Sequence, residues 1–296
     1  MAVATLTAPR PSVLRRVARL APYILLAPGL IWLLYFFIWP LAQMFLMSVS
    51  SGTLDNGFKL TWTLKSYTDA ITKFGTQWGN SLLYGGISTV IDFAIGFPVA
   101  YTIAFRGGRY KNLLLFMVIA PFFTSFLIRT ISWQILLGDE GPILAFFKHT
   151  LGILPDDFSI LYSPISVISG ITYNFLPFMI LPLYVALEKI DFRLLEAAGD
   201  LYATRWATFR RVTFPLALPG VFAGSILTFI PAMGDYVNAD LLGSPKTRMI
   251  GNVIQGRFLQ STDYPSASAL SFLLMAGILI AVAIYARALG TEELTG

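Results

Sequence analysis

Four ionisable residues sit inside long apolar runs of the chain: Asp92, Arg129, Asp235 and Asp240. A charge held near the centre of a bilayer costs at least ~2.5–3.5 kcal/mol on insertion scales, so each of them needs a reason. Three carboxylates with aromatic residues in neighbouring runs (Trp133, Tyr173, Tyr236) suit an organic cation, attracted by charge and by ring faces together. The same aromatics serve equally well as packing or interfacial residues, and on the residues alone both roles are open. Covalent chemistry is poorly provided for. The chain has no cysteine and one histidine, His149, which argues against a thiolate or histidine metal site and against a histidine-based triad. It contains no G-x-x-x-x-G-K-[ST] stretch and no nucleophile-plus-base motif.

The elements that must position these groups are apolar helices. Of 296 residues, 56% are hydrophobic and 12% charged, against roughly 25% charged in soluble domains. Six apolar runs are long enough to cross a membrane: Pro22–Val49, Ser81–Phe105, Leu113–Leu137, Ser163–Leu187, Pro219–Leu242 and Ser268–Leu289. The first is too long for the apolar region of a cleaved signal peptide. The expectation is an all-α polytopic membrane protein, residues 1–296 forming one transmembrane domain without a soluble domain, repeat or low-complexity tract. Pro177 and Pro182 in the fourth run, and Pro231 and Gly234 in the fifth, place those helices against protein or a cavity. Between the runs, short amphipathic pieces are expected near Tyr67–Phe74 and Ile143–Leu151.

Net charge is +5, yet its distribution speaks for topology and not for nucleic acid. Thirteen Lys and Arg residues fall in the N-terminal tail, loop 106–112, the segment after the fourth run and Arg287. Seven fall in the longer segments on the opposite side. The positive-inside rule therefore places both termini in the cytoplasm.

Depth along ideal helices sets out which charges could meet. Arg129 lies ~24 Å above Leu113 and Asp235 ~24 Å above Pro219, so an interhelical ion pair is one reading and a role in transport the other. Asp92 falls ~16 Å from the outer end of its helix, near mid-bilayer, without an evident basic partner. Asp240 is near the outer mouth, where a surface role serves as well as a functional one. Asp235 and Asp240 are ~140° apart on an ideal helix and share a wall only if the chain bends near Gly234.

One polar insertion interrupts the apolar pattern, EAAGDLYATRWATFRRVTFPLALPG at 196–220. Leu195, Ala198, Tyr202, Trp206 and Phe209 fall at helical spacing, with Asp200, Arg205 and Arg210 opposite, and a second element is expected after Pro215. Periodicity alone describes an interfacial helix that anchors a loop. Its wording resembles the "EAA" cytoplasmic loop of bacterial ABC-importer permeases: Glu196-Ala197-Ala198, then Phe209 and Pro215-Leu216. In that family the loop, about 189–219 here, forms two short coupling helices that dock on an ATP-hydrolysing subunit. Where the family usually has glycine this chain has Tyr202, so either the turn is built differently or the ring packs into the ATPase groove.

The resemblance extends through APFFTSFLIRT (120–130), SWQILLGDEGPI (132–143), LPFMILPLYVALEKID (176–191), PAMGDYVNADLLG (231–243) and IGNVIQGRFL (250–259). Together they are similar to the first of two permease subunits in spermidine/putrescine importers; permeases for thiamine, ferric ion, sulfate and opine-like solutes are organised alike. The resemblance implies a non-catalytic, multi-pass subunit of the bacterial inner membrane. It implies as partners a second permease, two ATP-binding subunits that carry ATP and Mg, and an external substrate-binding protein; this chain would bind no cofactor. Glu196, Ala197, Ala198, Asp200, Tyr202, Ala203 and Phe209 would couple to the ATPase. Asp235, Tyr236, Asp240, Asp92, Trp133 and Tyr173 would line the path, with Arg129 and Gly234 as structural or gate residues. A secondary transporter, the rival class, predicts inverted repeats, which are not seen, and leaves the polar insertion without a task.

Overall fold

The computed structural model describes residue 23 and residues 25–289. The basic N-terminal tail with Arg10, Arg15, Arg16 and Arg19, and the end of the C-terminal tail, lie outside them. The first crossing, α1 (Leu25–Ser48), leads into a two-stranded antiparallel hairpin, β1 (Ser50–Thr53) and β2 (Gly57–Leu60), in register Ser50↔Leu60. This hairpin is a small addition to the all-α expectation. The amphipathic α2 (Lys65–Lys73) follows where the apolar spacing placed it.

The second crossing, α3 (Gly75–Arg106), starts six residues earlier than its apolar run suggests. The third is where the expectation of a continuous helix fails. It consists of α4 (Lys111–Ile119), a 3₁₀ turn Ala120–Phe123 and α5 (Phe126–Leu137), with the two arms at 93°. Pro121 supplies no N–H, and Thr124 is extended, its backbone N–H donating back to the Pro121 carbonyl at 3.2 Å. Composition reads this run as one span because both arms are apolar; the break is a backbone event. After α5 come helical turns at Pro142–Ala145 and Phe146–Thr150, close to the surface helix expected there.

The fourth crossing is α6 (Pro164–Glu188), capped by Ser163, whose hydroxyl accepts from Ser166 N–H. The polar insertion folds into α7 (Phe192–Asp200) and α8 (Arg205–Thr208), and the latter runs through a wide turn, Phe209–Thr213, into the fifth crossing α9 (Phe214–Met233). The second element of the insertion is therefore not a separate piece after Pro215. It is the near end of one helical stretch, Arg205–Met233, and the wide turn accommodates the proline ring where an ordinary turn would clash. The fifth crossing also ends early: Gly234–Tyr236 break it, and the short α10 (Val237–Leu241) follows. The short α11 (Ile250–Gln255) and the sixth crossing α12 (Tyr264–Leu289) complete the fold.

The centre is the three-helix contact of α3, α6 and α9. Lipid tails are as apolar as leucine, so close backbone approach does the work that hydrophobicity does in water. At Gly220 a Cβ would lie 2.5 Å from the Ala186 methyl and 2.7 Å from the Pro182 carbonyl; at Gly224 it would meet Met179 sulfur at 2.8 Å. On the side of loop 106–112, Lys111 ion-pairs with Glu188 at the end of α6.

Candidate transport path and coupling loop

The break between α9 and α10 leaves free N–H groups at the start of α10, and Asp235 occupies them. Its Oδ1 accepts from the Asn238 backbone N–H at 3.0 Å and its Oδ2 from the Asn238 side-chain amide at 2.5 Å. Asn238 Oδ1 in turn accepts from Thr130 of α5 at 3.2 Å and from the Asn174 amide of α6 at 3.2 Å. Asn174 also donates to Thr130 Oγ1 at 3.3 Å. All four residues are buried. One amide thus fastens the break after α9 to the broken third crossing and to the fourth. Gly170 lets Asn238 approach: a Cβ there would be 2.7 Å from Asn238 Oδ1. Sequence reasoning passed over Thr130, Asn174 and Asn238. Two asparagines inside apolar runs, one of them three residues after an aspartate at a glycine break, were the available signal.

Arg129 and Asp235 do not form the ion pair that their ideal-helix heights allow. The 93° bend voids the height of Arg129. Its guanidinium lies over the rings of Phe122 (5.4 Å) and Phe126 (5.7 Å), and its Nε and Nη1 are buried without a hydrogen-bond partner among the described residues. Asp92 is fully buried on the face of α3 that carries Ser88 and Gly96. Ser88 hydrogen-bonds the Ile168 carbonyl at 3.4 Å and a Cβ at Gly96 would meet Met179 at 3.1 Å, so Asp92 lies between two layers of the α3–α6 seam. Neither of its oxygens has a partner among the described residues. An unbonded carboxylate in that position strongly favours a neutralising cation, proton or water.

Trp133 and Tyr173 pack on each other, centroids 5.4 Å apart. Tyr173 also borders an apolar cavity of ≈ 540 Å³ between α3, the bend of the third crossing and α6. Tyr236 and Asp240 are exposed, and Gly234 is half-buried at the break. The break at Gly234–Tyr236 does not bring Asp235 and Asp240 to a common wall: the first is buried and tied to Asn238, the second is exposed.

The polar insertion is two helices joined by a tight turn. Asp191 caps α7, accepting from Arg193 N–H at 2.9 Å. At the other end Ala203 N–H donates to the Ala198 carbonyl (3.0 Å) and Tyr202 N–H to Gly199 (2.9 Å), which is the Schellman arrangement. Tyr202 holds its left-handed position with φ 55°. The turn is therefore built in the ordinary way, with a tyrosine where glycine is easiest. Thr204 then caps α8 by accepting from Ala207 N–H at 3.3 Å. Glu196, Ala197 and Asp200 are exposed, Ala203 is half-buried and Ala198 is buried. Phe209 turns inward: it stacks on Trp206 at 5.5 Å and meets Phe97 of α3 edge-on at 5.6 Å.

Residues 80–289 match the model of the family described as "Binding-protein-dependent transport system inner membrane component". The chain belongs to that family. As a permease subunit of an ABC importer and a multi-pass inner-membrane protein it has well-matched relatives. It is 42% identical over 261 residues to the spermidine/putrescine transport system permease protein PotB of Haemophilus influenzae, covering 87% of this chain and 90% of that one. To PotB of Escherichia coli K12 it is 36% identical over 260 residues, covering 87% and 94%. Among solved structures, the bacterial ABC transporter that imports the acidic polysaccharide alginate superposes with a TM-score of 0.75 at 21% identity, over 97% of this permease and all of that chain. That likeness establishes the fold alone.

Proposed function

We propose that this permease forms half of the translocation path of a polyamine importer. A second permease subunit completes the path, two ATP-hydrolysing subunits dock on the α7–α8 loop, and an external binding protein delivers cargo to the face opposite that loop. Both termini and the loop lie in the cytoplasm, where ATP is, in keeping with the thirteen-to-seven distribution of basic residues. The observation that carries the cargo is the 42% identity, over nearly the whole length of both chains, to a spermidine/putrescine permease. The unpartnered Asp92 and the bonded Asp235 support it, since each is a buried carboxyl group that a passing polycation would favour in its ionised form. Asp235 meets substrate only when the Asn238 bonds open. On the ATPase side, the helical stretch Arg205–Met233 supports a lever that passes movement of α8 directly into the fifth crossing.

A second reading keeps the mechanism and changes the cargo. It is favoured by Arg129, a buried guanidinium with two unbonded nitrogens, which suits an anion. It also has a relative in the molybdenum transport system permease protein ModB of Azotobacter vinelandii, 31% identical over 57% of this chain. Uptake into vesicles carrying the complete transporter and its cognate binding protein separates the two. Accumulation of spermidine or putrescine supports the first reading; accumulation of molybdate or sulfate without either polyamine refutes it.

A further inference from the structure

We propose that Tyr202 is an anchor that this permease inserts into an apolar groove of its ATP-hydrolysing partner. The inference rests on the docking role of the α7–α8 loop proposed above and names the side chain that carries the contact.

Tyr202 sits at φ 55°, where a residue with a Cβ is disfavoured. The Schellman hydrogen bonds that hold the turn are made by its backbone and by Ala203, and glycine would make them equally well without the strain. Trp62, Tyr162 and Thr262 share this left-handed conformation; Tyr202 differs from them in how far its ring stands clear of the rest of the described residues. The side chain is 97% exposed, the highest value of any large apolar side chain among those residues. Contrast Phe209, seven residues on, which finds Phe97 and Phe214 within its own fold.

The surroundings specify the kind of partner. Leu201 is 81% and Trp206 69% exposed, so the loop presents three exposed apolar side chains within six residues. They are bordered by exposed Asp200, Thr204 and Arg205. A rigid aromatic at the centre of a small apolar patch with a charged rim has the anatomy of an interface hot spot. A tyrosine loses little conformational freedom on docking, and its hydroxyl asks for an acceptor at the bottom of the groove. The patch lies at the apex of the loop that α8 joins to the fifth crossing, so a grip on Tyr202 acts close to the start of that lever.

The test uses the assembled permease pair in lipid nanodiscs and the purified ATPase subunit. Tyr202→Gly removes ring and strain together; Tyr202→Phe removes only the hydroxyl. Two quantities are read: the thermal unfolding midpoint of the permease pair before ATPase is added, and its affinity for the ATPase. The expected result for Tyr202→Gly is an unchanged or higher midpoint with affinity reduced about tenfold or more, and for Tyr202→Phe a reduction of roughly threefold or less. Wild-type affinity in Tyr202→Gly overturns the proposal, leaving Tyr202 a tolerated replacement at a turn. A lowered midpoint also overturns it, because the ring would then be held within the permease pair or by lipid. If the wild-type pair binds no ATPase, the docking reading falls with it; if it binds and Tyr202→Gly binds equally, only the anchor falls.

Discussion

Asp235 and Asn238 are joined twice, backbone N–H to Oδ1 at 3.0 Å and side-chain amide to Oδ2 at 2.5 Å, both bonds buried. An amide in place of the Asp235 carboxylate keeps the first bond but turns one amide group against another at the second. Asn238 cannot flip to relieve this without losing Thr130 and Asn174. Asp235→Asn is expected to destabilise the protein by roughly 1–3 kcal/mol and to reduce uptake further than it reduces membrane level. In the double variant Asp235→Asn with Asn238→Asp, the carboxylate now at position 238 accepts from Thr130, from Asn174 and from the amide introduced at position 235. Thermal unfolding in detergent should then recover while uptake stays low. A double variant no more stable than the worse single one would contradict this geometry.

Gly220 is closed in by Ala186 and Pro182, whereas nothing lies within 4 Å of a Cβ at Gly277. Gly220→Ala should therefore lower stability by about 1–3 kcal/mol by forcing α6 and α9 apart. Gly277→Ala, on an open face of α12, should leave it unchanged or raise it by about 0.5–1 kcal/mol through helix propensity. Equal effects would mean that the α6–α9 seam is looser than described.

Arg129 rests on Phe122 and Phe126 and finds no acid among the described residues. Arg129→Met keeps most of the volume and removes a buried, underbonded charge, so the isolated chain should keep or gain stability, within about 1 kcal/mol of neutral or better. Loss of a buried ion pair would instead cost about 3–5 kcal/mol. Circular dichroism melts of the two proteins decide between these outcomes.

Glu196 is exposed on α7. Glu196→Lys is expected to leave membrane insertion intact and to uncouple uptake from ATP hydrolysis; wild-type uptake would reduce the loop to an interfacial anchor. Orientation has its own check. The chain contains no cysteine, so a single engineered thiol reports unambiguously. Thr208→Cys should react with an impermeant reagent only in inside-out vesicles, and Asn56→Cys, in the hairpin turn, only in intact cells.

Several features were legible from residue order. The apolar runs located the five long apolar helices and the bent pair among the described residues, because length and hydropathy are properties of a local stretch of chain. The polar insertion stood out by its polar composition and basic residues, and the resemblance of Glu196–Gly220 led to the family to which the chain belongs. Ideal-helix geometry then misled at two points. It gave Arg129 and Asp235 a common height that the bend after Pro121 removes, and it did not foresee that Asp235 is bonded by Asn238.

What residue order determined by itself was membership of the membrane, the position of the apolar helices and the position of the polar insertion along the chain, since each depends on a contiguous segment. Only the tertiary structure decided who meets whom inside. Thr130, Asn174 and Asn238 come from three crossings more than 40 residues apart in sequence, and no local pattern encodes such a meeting. The physical reason is that buried polar groups must find partners wherever the backbone brings them, and the broken helices of the third and fifth crossings set those positions.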